Sequence, residues 1–167
     1  SYKDPIETIS SNVMGTANIL ESMKNLKNKC SAIIITSDKA YDNIEQLKGY
    51  KEDDKLGGKD IYSGSKGAAE LIIKSYYHSF LKSNNSHLKI AIARAGNVIG
   101  GGDWAKDRIV VDCMKAWSES KTPEIRSPNA TRPWQHVLEP LSGYLHLGAE
   151  LTVSDDLNGE PFNFGPD

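Results

Sequence analysis

The 167-residue chain, 38% hydrophobic and 25% charged, has the make-up of an ordinary soluble globular protein with room for one compact core, not that of a disordered tail. Its net charge of -2, with both signs interspersed, offers no basic surface for nucleic acid or an anionic membrane and leaves small-molecule chemistry or protein contact. No apolar run approaches the roughly 20 residues needed to span a bilayer, and residues 1–20 lack the charged-then-apolar pattern of a signal peptide, so a cytoplasmic location is expected.

The first element opens at Asp4-Pro5-Ile6-Glu7, where Asp4 reads as an N-cap, Pro5 as the first helical residue and Glu7 as the partner in a capping box. Ile6, Ile9, Val13, Ala17, Leu20 and Met23 follow at three- and four-residue spacing, which predicts a helix packed along its whole length. Gly15 interrupts it at a cost of about 1 kcal/mol relative to Ala, which suggests close approach to a neighbouring element. Ala32 to Thr36 is short, β-branched and continuously apolar, the pattern of a parallel strand buried on both faces. It ends in polar Ser37-Asp38-Lys39, at the strand end where open α/β sheets bind ligands. A loop from about Ala40 to Ile61, broken by Gly49, Gly57 and Gly58, is long enough that it is expected to cover a site.

From Tyr62 to about Lys82 a second helix carries Ala69, Ile72, Ile73, Tyr76, Phe80 and Leu81 on its inner face. Lys89 to Ala95 reads as the next parallel strand. A third helix is expected from Asp107 to Ser120, a short strand at Glu124-Ile125-Arg126 and a polar loop from Asn129 to Gln135. Glu139-Pro140 opens another helix through about Leu151, with Pro at its first position, and Pro161 to Gly165 forms a last short strand. Alternating helices and strands define an α/β chain with right-handed crossovers. Cys30 and Cys113 have no metal-ligand spacing and read as reduced thiols, and no metal site is expected. Asn84-Asn85-Ser86 and Asn129-Ala130-Thr131 are read as chance matches to the glycosylation sequon. The opening Ser1-Tyr2-Lys3-Asp4 carries no initiator Met, which suggests a piece of a longer protein.

Tyr62 and Lys66, four residues apart at the start of the second helix, share one face, so the ammonium can sit close to the phenol. Bringing a tyrosine from its usual pKa near 10 to roughly 7 takes about 4 kcal/mol in favour of phenolate. One close cation and a positively charged nicotinamide can supply that in a partly desolvated site. On spacing alone, a packed Tyr beside a solvated Lys is the competing interpretation.

Further segments accompany this pair: Asn12-Val13-Met14-Gly15-Thr16, Thr36-Ser37-Asp38-Lys39, Arg94-Ala95-Gly96-Asn97-Val98-Ile99-Gly100-Gly101-Gly102-Asp103-Trp104 and Ala130-Thr131-Arg132-Pro133-Trp134-Gln135-His136-Val137. With Tyr62 and Lys66 they resemble, in the right order and over nearly the whole chain, the extended short-chain dehydrogenase/reductase family, and within it the CDP-glucose 4,6-dehydratase group. The resemblance implies part of a Rossmann-type doubly wound parallel sheet plus part of a small substrate-binding domain. Residues 1–98 would be the later portion of the NAD-binding domain, with the catalytic residues, and 99–167 a partial substrate-binding region interleaved with it. The family's Gly-rich NAD turn, G-x-G-x-x-G, does not occur in this chain, and Gly100-Gly101-Gly102 matches the substrate-side loop instead. The chain thus resembles the middle of such an enzyme, with catalytic residues but no cofactor cradle.

The resemblance also implies roles. Tyr62 would remove the proton of the sugar 4-hydroxyl while C4 passes hydride to NAD, and Lys66 would lower the Tyr62 pKa and contact the nicotinamide ribose. Ser37 would hydrogen-bond the 4-hydroxyl, and Asp38 would protonate the departing 6-hydroxyl once the C4 ketone has acidified C5-H. Lys39 stands where the dTDP-glucose and GDP-mannose enzymes carry a Glu base and where the CDP-glucose group carries Lys, so the identity of the C5 base stays open. Asn97 and Arg132 match residues that contact the substrate diphosphate, and a guanidinium pairs with two phosphate oxygens at once. Ala95 and Asn12 match cofactor-side positions, Asn12 either holding Lys66 through a water or simply lying on the helix surface. His136 reads as a packed or surface histidine, and Trp104 and Trp134 as core residues or as flanks of the nucleotide base. The implied product is CDP-4-keto-6-deoxyglucose for surface polysaccharide, made by a homodimer joined through the helices at Pro5 and Tyr62. Another nucleotide-sugar dehydratase or epimerase, or a non-catalytic fragment of one, is the alternative.

Overall fold

The computed structural model describes residues 1–82, 87–105 and 107–166; the Asn84 sequon lies outside them. Asp4 caps α1 (Pro5–Ile9), its carboxylate accepting from the Glu7 N–H at 2.8 Å, with Pro5 at the helix start as its fixed φ favours. The helix continues through a π-helical turn, Ser10–Met14, into α2 (Gly15–Lys24). Next come β1 (Cys30–Ile35), a 3-10 turn at Asp38–Ala40, and α3 (Ile61–Tyr76), prolonged by a π turn at Tyr77–Leu81. After them follow β2 (Leu88–Ala95), β3 (Val98–Ile99), α4 (Ile109–Ser118), β4 (Gln135–His136), α5 (Leu138–Val153) and β5 (Pro161–Phe164).

Strands β1, β2 and β5 form one parallel sheet in that order, with Ile35 opposite Ala93 and Ala95 opposite Phe164. Alternation along β2 splits its side chains between two cores. Leu88, Ile90 and Ile92 face Leu20, Ile73 and Leu81 of the α2 and α3 side. Ala91 faces Leu147 and Leu151 of α5, with Ile33, Phe162 and Phe164 around them. Helices on both faces of a parallel sheet are the doubly wound α/β arrangement expected from the sequence. Gly143 lets α5 close on β5, since a Cβ there would stand 2.3 Å from the Phe164 ring.

Several expectations need correction. The strand buried on both faces is β2, whereas β1 is half-buried and its Ile35 is exposed, because among the described residues β1 has a strand neighbour on one side only. The apolar stripe of the first helix is covered at Val13, Ala17, Leu20 and Met23 but leaves Ile6 and Ile9 exposed. Gly15 makes no close approach, its nearest would-be contact being Ser10 O of its own rod at 3.9 Å. Phe80 is exposed, with the Lys24 ammonium 4.6 Å above its ring. Residues 124–126 form no strand, and Pro140 is the third residue of α5, not the first. Gln135 belongs to a second, two-stranded parallel sheet with β3, built on pairs Val98 with Gln135 and Ile99 with His136. Cys30 and Cys113 are both free thiols. No helix among the described residues is long and apolar enough to cross a membrane, and no His, Cys, Asp and Glu cluster there has the make-up of a metal site.

Candidate active site

All three strands of the main sheet run the same way, so the segments leaving β1 and β2 emerge along one edge, where α/β sheets hold their ligands. Thr36 continues β1 through a Thr36 N–H bond to Ala93 O at 2.8 Å, and the chain then turns sharply. Ser37 caps that turn: its Oγ accepts from Lys39 N–H at 3.2 Å and donates to Asp38 Oδ1 at 3.0 Å. The Lys39 ammonium lies 3.3 Å from Asp38 Oδ2. In this arrangement the Lys39 ammonium is a donor engaged by the Asp38 carboxylate.

Tyr62 sits in the first turn of α3 and is 40% exposed, which leaves its phenol open to a substrate. The Lys66 ammonium is 5.8 Å from the centre of the Tyr62 ring, the proximity that the four-residue spacing leads one to expect. Asp60 places this helix. Its carboxylate accepts from the N–H of Tyr62 at 2.9 Å, the N–H of Ser63 at 3.1 Å and the Ser63 hydroxyl at 2.7 Å. The Ser63 hydroxyl bond, then the two N–H bonds and the charge of Lys39, hold the Asp60 carboxyl below its ordinary value against the opposing effect of burial. Removing the cap in Asp60→Ala is expected to cost about 1 kcal/mol of unfolding free energy at pH 7. Because the folded-state pKa is depressed, that stability is present above the unfolded value near 4 and is lost as pH falls through the folded one. Urea unfolding of both proteins at pH 7 and pH 3 checks this: the gap should narrow at the lower pH.

Asn12 lies within the π turn, a feature that often marks functional sites in helices. Its Nδ2 donates to Ser65 Oγ at 2.8 Å, and Ser65 Oγ donates to Tyr62 O at 2.7 Å, so Asn12 ties the first helical rod to the residue beside Lys66. A cavity of about 380 Å³ is lined by Asn12, Gly15, Thr16, Thr36 and Lys66, and a second, of about 390 Å³, by Glu7, Asn12 and Tyr62. Asn12 therefore borders both.

Ala95 is buried at the end of β2. Beyond it Gly96 is pressed on Pro133, where a Cβ would come within 2.4 Å of the ring, and Asn97 O accepts from Gln135 N–H at 3.0 Å. The small sheet thus brings the segments of Asn97 and Arg132 side by side. Arg132 is exposed, its guanidinium donating to Thr131 O at 2.6 Å. Trp104 and Trp134 are both exposed, which removes the core alternative for them, and the exposed His136 accepts from Leu138 N–H at 3.3 Å at the start of α5.

Sequence reasoning missed a buried cluster below this edge. The Glu70 carboxylate receives Arg94 Nε at 2.9 Å, a further bond from Arg94 Nη2, and Thr36 Oγ1 at 2.6 Å. Arg94 Nη1 donates to Tyr41 OH at 2.7 Å and Glu52 O at 3.0 Å, and Tyr41 OH donates to Asn163 Oδ1 at 2.7 Å. Burial works against the charge on Arg94, but the hydrogen bond and charge of Glu70 outweigh it and raise the guanidinium pKa. The signal was present: an Arg inside an apolar strand and a Glu on the inner side of α3 each demand a partner.

A family model for GDP-mannose 4,6 dehydratase matches residues 1–151. CDP-glucose 4,6-dehydratase of Salmonella typhimurium is 48% identical over 99% of this chain and 47% of the relative. Two solved structures share the fold. UDP-glucuronic acid 4-epimerase from Bacillus cereus, in complex with UDP-glucuronic acid and NAD, gives a TM-score of 0.78 at 23% identity, over 95% of this chain and 47% of that one. A dTDP-glucose 4,6-dehydratase from Streptomyces venezuelae, with NAD and TYD bound, gives 0.79 at 18% identity, over 99% and 47%. The chain spans about half the length of the Salmonella typhimurium relative.

Proposed function

Since the chain belongs to the GDP-mannose 4,6-dehydratase family, we propose that its protein converts CDP-glucose to CDP-4-keto-6-deoxyglucose with NAD as cofactor. The observation that carries this reading is Lys66 beside Tyr62, on the same sheet edge as the Ser37-Asp38-Lys39 turn. The 48% identity to a CDP-glucose enzyme supports CDP-glucose over other nucleotide sugars.

The residues present fit the nicotinamide end of the cofactor. The cavity beside Lys66 offers an ammonium and the Asn12 amide as polar partners, with Gly15 leaving its wall open. Lys66 and Tyr62 would hold the nicotinamide ribose, and Asn12 and Ala95 would border it. When bound, NAD supplies the reversible oxidation that leaves C4 a ketone and returns the electrons to C6. Tyr62, as a phenolate favoured by the positive charge of Lys66, takes the proton of the 4-hydroxyl and becomes the neutral phenol. Ser37 holds the 4-hydroxyl. Asp38, entering the step protonated and released from Lys39, gives its proton to the departing 6-hydroxyl while a base takes the C5 proton, so that water leaves across C5 and C6. Asn97 and Arg132, on adjoining segments, bind the diphosphate.

In this reading residues 1–98 carry the catalytic half of the cofactor domain, and 99–167 carry substrate contacts while returning α5 and β5 to the main sheet. The exposed Ile6 and Ile9 on α1 and Ile61 at the head of α3 suit a homodimer through these helices, working in the cytoplasm towards polysaccharide precursors. Full-length protein with NAD, offered CDP-glucose, dTDP-glucose and GDP-mannose in turn, tests the substrate. CDP-glucose is expected to be dehydrated with the highest kcat/KM, and preference for either of the others overturns the assignment. Sedimentation of the same sample is expected to give a dimer mass.

A further inference from the structure

We propose that Thr36, Tyr41, Glu70 and Arg94 form a clamp that sets the position of the Ser37–Ala40 turn against α3, making them positioning residues for the reaction. This rests on the reading that Asp38 and Tyr62 serve one substrate. Tyr62, Lys66 and Glu70 recur at four-residue spacing on α3 and so lie along one face of it. The turn carrying Asp38 and Lys39 is gripped just before and just after. On the near side Thr36 Oγ1 donates to Glu70 Oε1 at 2.6 Å, and on the far side Tyr41 OH accepts from Arg94 Nη1 at 2.7 Å. Glu70 and Arg94 are joined by their own ion pair, 1% and 4% exposed, so the two grips are one unit.

Helix and turn are also in direct contact between the grips. A Cβ on Gly67 would stand 3.2 Å from Ala40 O, and that carbonyl accepts from Gly57 N–H at 2.9 Å. Within the turn, Ser37, Asp38 and Lys39 bond mainly to one another, so their placement relative to Tyr62 depends on what holds the ends. The Tyr41 hydroxyl carries the clamp on to Asn163 of β5, and its ring stacks on Tyr50 at 5.1 Å, tying in the long loop before α3. An apolar pair of matching volume would fill the space of Glu70 and Arg94 as stably as the charges do. What the charges add is a fixed geometry with directional bonds to Thr36 and Tyr41.

The test uses full-length protein with Thr36→Val, which keeps the shape and removes the hydroxyl, Thr36→Ser, which keeps the hydroxyl, and Tyr41→Phe, which keeps the stacked ring. Backbone hydrogen exchange is expected to quicken about 10-fold at residues 38–41 in Thr36→Val and Tyr41→Phe, with α3 and β2 unchanged. In the same two variants kcat for the nucleotide sugar should fall about 10-fold with KM within about 2-fold, and Thr36→Ser, which keeps the bond to Glu70, should keep exchange at residues 38–41 as slow as in wild type. Unchanged exchange at the turn overturns the clamp whatever the activity. Faster exchange with unaltered kcat overturns its role in the reaction. If wild type turns over no nucleotide sugar but exchange at the turn responds as stated, the functional reading fails and the clamp stands.

Discussion

Replacing Tyr62 by Phe in the full-length protein is expected to lower kcat for CDP-glucose by about 10²–10⁴-fold, the usual worth of a positioned acid or base, with KM little changed. The structure makes this a clean substitution. Tyr62 is 40% exposed in the first turn of α3, and its N–H, not its hydroxyl, is what Asp60 holds. The ring and the helix start should therefore survive, so unfolding midpoints of the two proteins should coincide. A Phe variant that keeps more than a tenth of wild-type kcat would remove Tyr62 from the chemistry.

The second large effect is on stability. Arg94→Met leaves the Glu70 carboxylate at 1% exposure with only Thr36 Oγ1 of its hydrogen-bond donors among the described residues, and a buried charge stripped of its counter-ion costs about 3–5 kcal/mol. Glu70→Leu together with Arg94→Met removes both charges and should recover most of that loss, because well-packed apolar replacements for buried pairs are often neutral. Urea denaturation of the single and double variants measures the difference. A double variant no more stable than Arg94→Met would show that the bonds to Thr36 and Tyr41, and not charge balance, dominate the energetics of the cluster. The recovered double variant is also expected to stay slow in turnover if the pair positions the turn.

Much of the architecture could be read from periodicity. The stripe from Val13 to Met23, the apolar runs that became β1 and β2, and the inner face of α3 each announced an element through its pattern alone, and the polar residues after β1 announced the turn that ends it. Burial was less legible. An Ile-rich run such as Cys30–Ile35 looks the same whether it has one strand neighbour or two, so Ile35 emerged exposed where a covered face was expected. Strands of two residues, Val98–Ile99 and Gln135–His136, are too short to carry any period, although they bring Asn97 and Arg132 onto neighbouring segments. The π turn around Asn12 has no spacing signature either. In the candidate site, the Tyr62 and Lys66 pair came from helical geometry, whereas its support by Glu70 and Arg94, 24 residues apart, needed the fold to bring opposite charges into one buried space.

The measurement that bears most directly on the central claim is the fate of a deuterium placed at C4 of CDP-glucose, followed by product mass in the presence of full-length protein and NAD. A dehydratase that oxidises C4, loses water across C5 and C6 and reduces C6 is expected to give a product lighter by one water with the deuterium now at C6. A product of unchanged mass would identify an epimerase, and a dehydrated product with no deuterium at C6 would contradict the sequence of steps assigned to Tyr62, Lys66 and Asp38.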